Sequence, residues 1–133
     1  MVEINAYSKA KDGGKKLSAN FTVREFACKD GSDAVLTAPR LVMVLQSIRS
    51  HFAAPVVIHS AYRTPQYNAK VGGAAHSQHC YGTAADISVR GQTPAAVAAY
   101  ARELMPDWGG VGVYAGQGFT HIDVRETRSD WAD

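Results

Sequence analysis

At 133 residues, 46% apolar and 20% charged, the chain has the size and composition of one soluble domain that buries its own core. A formal charge of +2 with scattered Lys and Arg offers no basic face to a nucleic acid, and two cysteines, Cys28 and Cys80, are too few for a disulfide scaffold. No apolar stretch approaches the roughly 18 residues that span a bilayer, and Met1–Tyr7 lacks the basic-then-apolar pattern of a secretion signal. The expectation is a protein left in the cytoplasm as synthesised, or carried out by other means, with no membrane insertion.

In chain order, residues 1–17 are polar, with Lys11-Asp-Gly-Gly-Lys-Lys16 near their end, and are expected to form a flexible leader ahead of a domain over 18–133. Thr22-Val-Arg-Glu25 fits a capping box, and Phe21 can staple onto Phe26 across it, which predicts a short helix over 22–28. Lys29–Asp33 reads as a turn. From Arg40 to Phe52 the positions Leu41, Val44, Leu45, Ile48 and Phe52 recur at helical spacing, with Pro39 suited to the first turn. Pro55 breaks away into Val56-Val-Ile58, a β-branched strand. Residues 61–83, rich in Gly, Ser, Asn and Gln, read as a long irregular loop, and loops of that length are usually functional. Ala84–Val89 predicts a strand. Thr93-Pro94 starts a helix with Val97, Tyr100, Ala101 and Leu104 on one face, ended by Pro106 and Gly109-Gly110. Val111–Tyr114 and Phe119–Arg125 flank Ala-Gly-Gln-Gly as a hairpin. The sum is a single α+β domain, an antiparallel sheet with helices packed on one side.

The chemistry concentrates in Ser77-Gln-His79-Cys-Tyr-Gly82-Thr-Ala84-Ala-Asp86. A loop histidine, a glycine-enabled turn and an aspartate entering a strand let His79 and Asp86 converge on one point from two elements. In the last strand, His121-Ile-Asp123 puts His121 and Asp123 on one face. Two imidazoles and one carboxylate leave zinc an open fourth position for water, the pattern of a catalytic rather than a structural site. Such a zinc lowers the pKa of its water and polarises a scissile carbonyl. The alternative, on the residues alone, is the few histidines and aspartates that any small protein carries.

Ser77, His79, Gly82, Ala84 and Asp86 form Ser-x-His-x-x-Gly-x-Ala-x-Asp, which resembles the zinc motif of the D-alanyl-D-alanine carboxypeptidase and murein endopeptidase family. The same metal core occurs in vancomycin-resistance dipeptidases and in the Hedgehog signalling domain. Ser60-Ala-Tyr62-Arg63 is similar to the family's Ser-Gly-Tyr-Arg segment, and Gly118-Phe-Thr-His121-Ile-Asp123-Val-Arg125 to its third-ligand strand. The likeness runs from about residue 18 to 125, with three motifs in order. It implies a zinc site at the sheet, with His79, Asp86 and His121 as ligands to Zn2+. It also implies that Arg63 grips a substrate carboxylate or developing oxyanion, for which a planar guanidinium is suited. Tyr62 and Ser77 are implied at the substrate, Ser77 alternatively as a turn cap. The implied substrate is the peptide stem of peptidoglycan, cut at D-Ala-D-Ala, L-Ala-D-Glu or a cross-bridge by a monomer. The absence of a secretion signal suits a phage endolysin released through a holin or a lysin carried by a virion.

One position departs from the family. Several relatives carry a glutamate, the general base, three residues before the third ligand, where this chain has Gly118. Asp123 is the candidate replacement, or else it orients a ligand; His59, His76 and Asp107 stand behind it. His51 ends a helix, where a cation suits the dipole. Tyr62, Tyr81 and Tyr114 either line the cleft or belong to the core. The rival classes are a cysteine peptidase using Cys80 or Cys28 and a zinc-containing wall-binding module without catalysis. His-Glu-x-x-His is absent, against classical zincins.

Overall fold

The computed structural model describes residues 2–133. The N-terminal stretch is more ordered than its polarity predicts. Asn5–Ser8 (β1), the single turn Lys9–Asp12 (α1), Lys16–Ser18 (β2) and Phe21–Thr22 (β3) precede Ala34–Thr37 (β4). Strand β1 pairs antiparallel with β4, and β2 with β3. Side-chain caps rather than apolar periodicity hold this segment: Asp33 accepts from the Ser8 hydroxyl at 2.7 Å and from the Ala10 amide at 2.8 Å. The expected leader over 1–17 therefore carries secondary structure. The helix expected over 22–28 is a 3-10 turn, Val23–Phe26, because Ala27 is already extended. Its start follows the sequence reading. Glu25 accepts from the Thr22 amide at 2.9 Å, and the Phe21 and Phe26 rings meet edge to face at 6.2 Å.

Pro39–Phe52 (α2) buries Leu41, Val42, Val44, Leu45 and Ile48, each worth about 1.5–3 kcal/mol of transfer free energy. Val56–Ser60 (β5) follows. The loop expected over 61–83 contains a short helix, Pro65–Lys70 (α3), and a 3-10 turn, Gln78–Tyr81. Thr64 caps α3 by accepting from the Tyr67 amide at 3.2 Å, with Pro65 in the first turn. Ala84–Val89 (β6), Pro94–Leu104 (α4, capped by Thr93), Gly110–Tyr114 (β7) and Phe119–Asp123 (β8) match the sequence reading, and Ser129–Ala132 (β9) was not foreseen.

The main sheet has five strands in the order β5-β6-β8-β7-β9. All its pairs are antiparallel except β7 with β9, which run parallel, so the expected antiparallel sheet is mixed at one edge. Helices α2 and α4 cover one face; Ala85, Ile87, Val89, Val111 and Ile122 join Leu41, Leu45, Val97 and Ala101 in the core there. Strand alternation turns Asp86, His121 and Asp123 to the opposite face, and register sets Asp86 directly across from His121.

Candidate metal centre

Each of the three metal-ligating candidates is held by local structure. Ser77 caps the 3-10 turn that carries His79, accepting from the His79 amide at 3.2 Å. Gly82 ends that turn at φ 76°, and a Cβ there would meet the Leu36 carbonyl oxygen at 2.6 Å. Only glycine satisfies both conditions. Strand β6 then delivers Asp86 and β8 delivers His121. One ligating atom from each of His79, Asp86 and His121 lies within 4.8 Å of the others, and all three residues are buried.

The hydrogen bonds select the ring nitrogens. His79 Nδ1 lies 2.7 Å from the Ala61 carbonyl oxygen, which can only accept, so its proton sits on Nδ1. His79 Nε2 then faces Asp86 Oδ2 at 3.3 Å with a lone pair. Two acceptors so close in a buried site call for a cation or a proton between them, and the donor set, two imidazoles and one carboxylate, fits zinc. His121 Nδ1 is 2.9 Å from Asp86 Oδ1, while its Nε2 is 2.8 Å from Asp123 Oδ2.

Asp123 sits behind His121 and away from the cleft. It is 0% exposed. Its Oδ1 accepts from the Gly110 amide at 3.0 Å and from Arg125 Nε at 2.8 Å; its Oδ2 accepts from Arg125 Nη2 at 2.6 Å as well as facing His121. A carboxylate engaged in this way fixes the tautomer and ring plane of a metal-ligating imidazole. Of the two roles that sequence allows it, this geometry fits the orienting one; a general base needs access to the cleft. Gly110 makes the arrangement possible, because a Cβ there would sit inside the Asp123 carboxylate. Gly110→Ala is therefore expected to cost about 1–3 kcal/mol of stability by overpacking and about 10–100-fold in zinc affinity. Thermal melts and a zinc-competition titration read both, and an unchanged zinc affinity would detach Gly110 and Asp123 from the metal site.

The site opens into a cleft of about 570 Å³ whose lining includes Arg63, His76, Ser77, Tyr114, Arg125 and Trp131. Arg63 is braced by Ser60 (Nε to Oγ, 3.0 Å), Asn68 (Nη1 to Oδ1, 3.2 Å) and Asp86 (Nη2 to Oδ2, 3.5 Å), so it both holds α3 to the site and faces the cleft. Arg125 and Trp131 are absent from the sequence-based site. Arg125 is held by Asp123 and stands 5.4 Å from the Trp131 ring centroid, itself 5.0 Å from the His121 ring. Two guanidinium groups at one cleft favour an anionic substrate.

Several expected residues lie elsewhere. Tyr62 is buried and does not line the cleft. Tyr81 is 45% exposed and its hydroxyl is 3.4 Å from His76 Nδ1. His59 pairs with Ser88 at 2.8 Å, and neither it nor Asp107 lines the cleft. His51 stacks on Tyr100. Gly118, at φ 79°, closes the turn between β7 and β8, a conformation that glutamate would strain. Cys28 and Cys80 are both free, and burial pushes the Cys80 thiol up, the wrong direction for an activated nucleophile.

Without metal, burial works to raise the Asp86 carboxyl, but hydrogen bonds from His121 and His79 outweigh it and hold the group well below the usual carboxylate range. Asp123 is likewise lowered by His121 and Arg125 against its burial. Burial opposes charge on His121, yet its bonds to Asp123 and Asp86 raise it above the ordinary imidazole value. The carboxylates contribute stability above about pH 4 that is lost on acidification, and His121 contributes stability below about pH 6.5 that is lost as pH rises through its folded value. The chelated protein should thus melt highest between about pH 4 and 6.5. A melting temperature rising steadily from pH 6 to 9 would contradict this.

A search of curated proteins returns no match to the chain. Residues 16–123, which include every element that builds the cleft except β9, match the family described as Peptidase M15. With the ligand geometry and most of its length in agreement, the chain belongs to the Peptidase M15 family.

Proposed function

We propose that this metallopeptidase is a zinc enzyme that hydrolyses peptide bonds in the stems of bacterial peptidoglycan, acting on the wall after release through a holin or delivery by a virion. The observation that carries the reading is the buried set of His79, Asp86 and His121, with ligating atoms within 4.8 Å, opening into a cleft lined by Arg63 and Arg125. Zinc held by these residues would lower the pKa of water and polarise the scissile carbonyl. Arg63 and Arg125 bind the carboxylates of the stem peptide and orient the bond. Asp123 keeps His121 in the ligating tautomer. Proton acceptance then falls to His76, the imidazole that lines the cleft beside the ligands.

Mass spectrometry of fragments released from purified peptidoglycan, with and without chelator, tests the reading. A D-Ala-D-Ala carboxypeptidase releases free alanine, and an L-Ala-D-Glu endopeptidase releases stem peptides that begin at D-Glu and lack the first L-Ala. No fragments under zinc-replete conditions, with zinc bound, would favour a wall-binding module without catalysis. Arg63→Lys keeps the charge and loses the fork. Turnover should fall about 10–100-fold, the worth of one or two charge-assisted hydrogen bonds, with zinc content unchanged. Kinetics equal to the parent's would leave Arg63 only its brace between α3 and β6.

A further inference from the structure

A second and larger cavity, about 800 Å³, lies where α2 meets β1 and β2, with Tyr100 of α4 also in its wall. It shares no lining residue with the metal cleft. Its volume is that of a site for a small organic ligand. None of its lining residues is Asp, Glu, Lys or Arg, in a chain where those make up 20% of residues. The lining combines aromatic rings with neutral hydrogen-bonding groups. His51 and Tyr100 stack at 3.7 Å with planes 9° apart, and Tyr7 adds a third ring. Asn5, Ser47 and Ser50 supply an amide and hydroxyls, and Gln46 is fixed in place by Ser18 at 2.6 Å and by the Asn20 amide at 2.9 Å. Thr37, 2% exposed and with no hydrogen-bond partner for its hydroxyl, also stands in the wall.

This chemistry excludes as much as it selects. An anion would find no Lys or Arg among the lining residues, Lys15 reaching only the Tyr7 ring at 5.6 Å, and the lining gives the charges of a stem peptide no partner. A purely apolar ligand would leave the amides and hydroxyls to be desolvated without compensation. A neutral ligand with flat apolar faces, hydroxyls and acetamido groups satisfies both halves of the lining. We infer that the cavity binds N-acetylated amino sugar, as in the glycan strand of the polymer whose peptide the metal site cuts. The inference rests on the wall-peptidase reading for the identity of the polymer. Its consequence is that the enzyme grips glycan with one side and cuts peptide with the other, within one domain.

The test uses the zinc-loaded protein and soluble oligomers of N-acetylglucosamine as probe, followed by two-dimensional NMR. Saturable shifts at Ser47, His51 and Tyr100, with the residues of the metal cleft unmoved, are expected. Ser50→Arg, on an exposed position of α2, should keep the fold and project a charge into the cavity. It should weaken the probe about tenfold or more, the worth of one lost contact. His51→Ala, which removes half of the aromatic stack, should do the same. Both variants should cleave a free stem peptide at the parental rate and intact wall more slowly. No binding at millimolar probe, shifts confined to the metal cleft, or binding indifferent to both substitutions would overturn the inference. If the probe binds as expected and no stem peptide is cut, the glycan site stands and the peptidase reading falls.

Discussion

His121→Ala is expected to leave the protein with almost no zinc and no measurable peptidase activity. His121 is the hinge of the site, with Asp86 on one ring nitrogen at 2.9 Å and Asp123 on the other at 2.8 Å. Its removal leaves two ligating side chains, too few for a catalytic zinc, which takes three from the protein. The fall in turnover should exceed the roughly 10⁴-fold that a proton-transfer group is worth. It also leaves buried Asp86 Oδ1 without its imidazole partner, at about 1–3 kcal/mol for an unsatisfied acceptor, while Asp123 keeps Arg125 and the Gly110 amide, so the variant should melt lower even when zinc is withheld from both proteins. His79→Ala separates the two effects. Its ring is tied to the Ala61 carbonyl and meets Asp86 at 3.3 Å, longer than either carboxylate contact of His121, so zinc should be lost with a smaller loss of stability. Zinc per chain measured on the folded, dialysed variants decides the matter. Full occupancy in either would take that residue out of the metal site.

Asp123→Asn and His76→Gln should fail in opposite ways. Asparagine can still accept from His121, but its amide nitrogen or its lost charge leaves Arg125 without the carboxylate that it grips at 2.6 and 2.8 Å. Zinc affinity should weaken about 10–100-fold, the usual effect of removing a group that orients a ligand, and excess zinc should restore much of the turnover. His76→Gln touches no ligand. It should keep zinc and lose about 10²–10⁴-fold in turnover. If Asp123→Asn instead keeps its zinc and loses 10²–10⁴-fold that no added zinc recovers, Asp123 is the base and His76→Gln should be nearly silent.

The convergence of His79, Asp86 and His121 was legible because each stands at a point of strict local geometry: a capped turn, a glycine-only position and two paired strands with a period of two. Helices α2 and α4 were legible for the usual reason, an apolar face repeated over three or more turns. What escaped is short or held by side-chain caps. Strand β1 depends on Asp33, twenty-five residues from Ser8, and no periodicity announces such a tie. Helix α3 was signalled by Thr64-Pro65, but six residues among Gly, Asn and Gln read as loop. Trp131 escaped because its relation to His121 exists only through the pairing of β9 with β7, downstream of the motif, and Arg125, at the motif's end, because its grip on the buried Asp123 carboxylate is a contact that spacing does not show. The role of Asp123 was a question of access, which alternation along a strand does not address.

Strand β9 has a practical bearing on how the protein can be handled. Arg102 pins its start, donating to the carbonyls of Trp108, Gly109 and Ser129 and pairing with Asp130 at 2.8 Å. The strand hides the outer hydrogen-bonding edge of β7, and its Trp131 fills the space that Gly112 leaves beside His121. Clipping residues 129–133 by protease would thus bare a glycine-rich edge ready to recruit a strand from a neighbouring molecule. It would also strip the wall from one side of the ligand ring. Trimmed material should precipitate and leach metal together, two faults that a purification would otherwise record as unrelated.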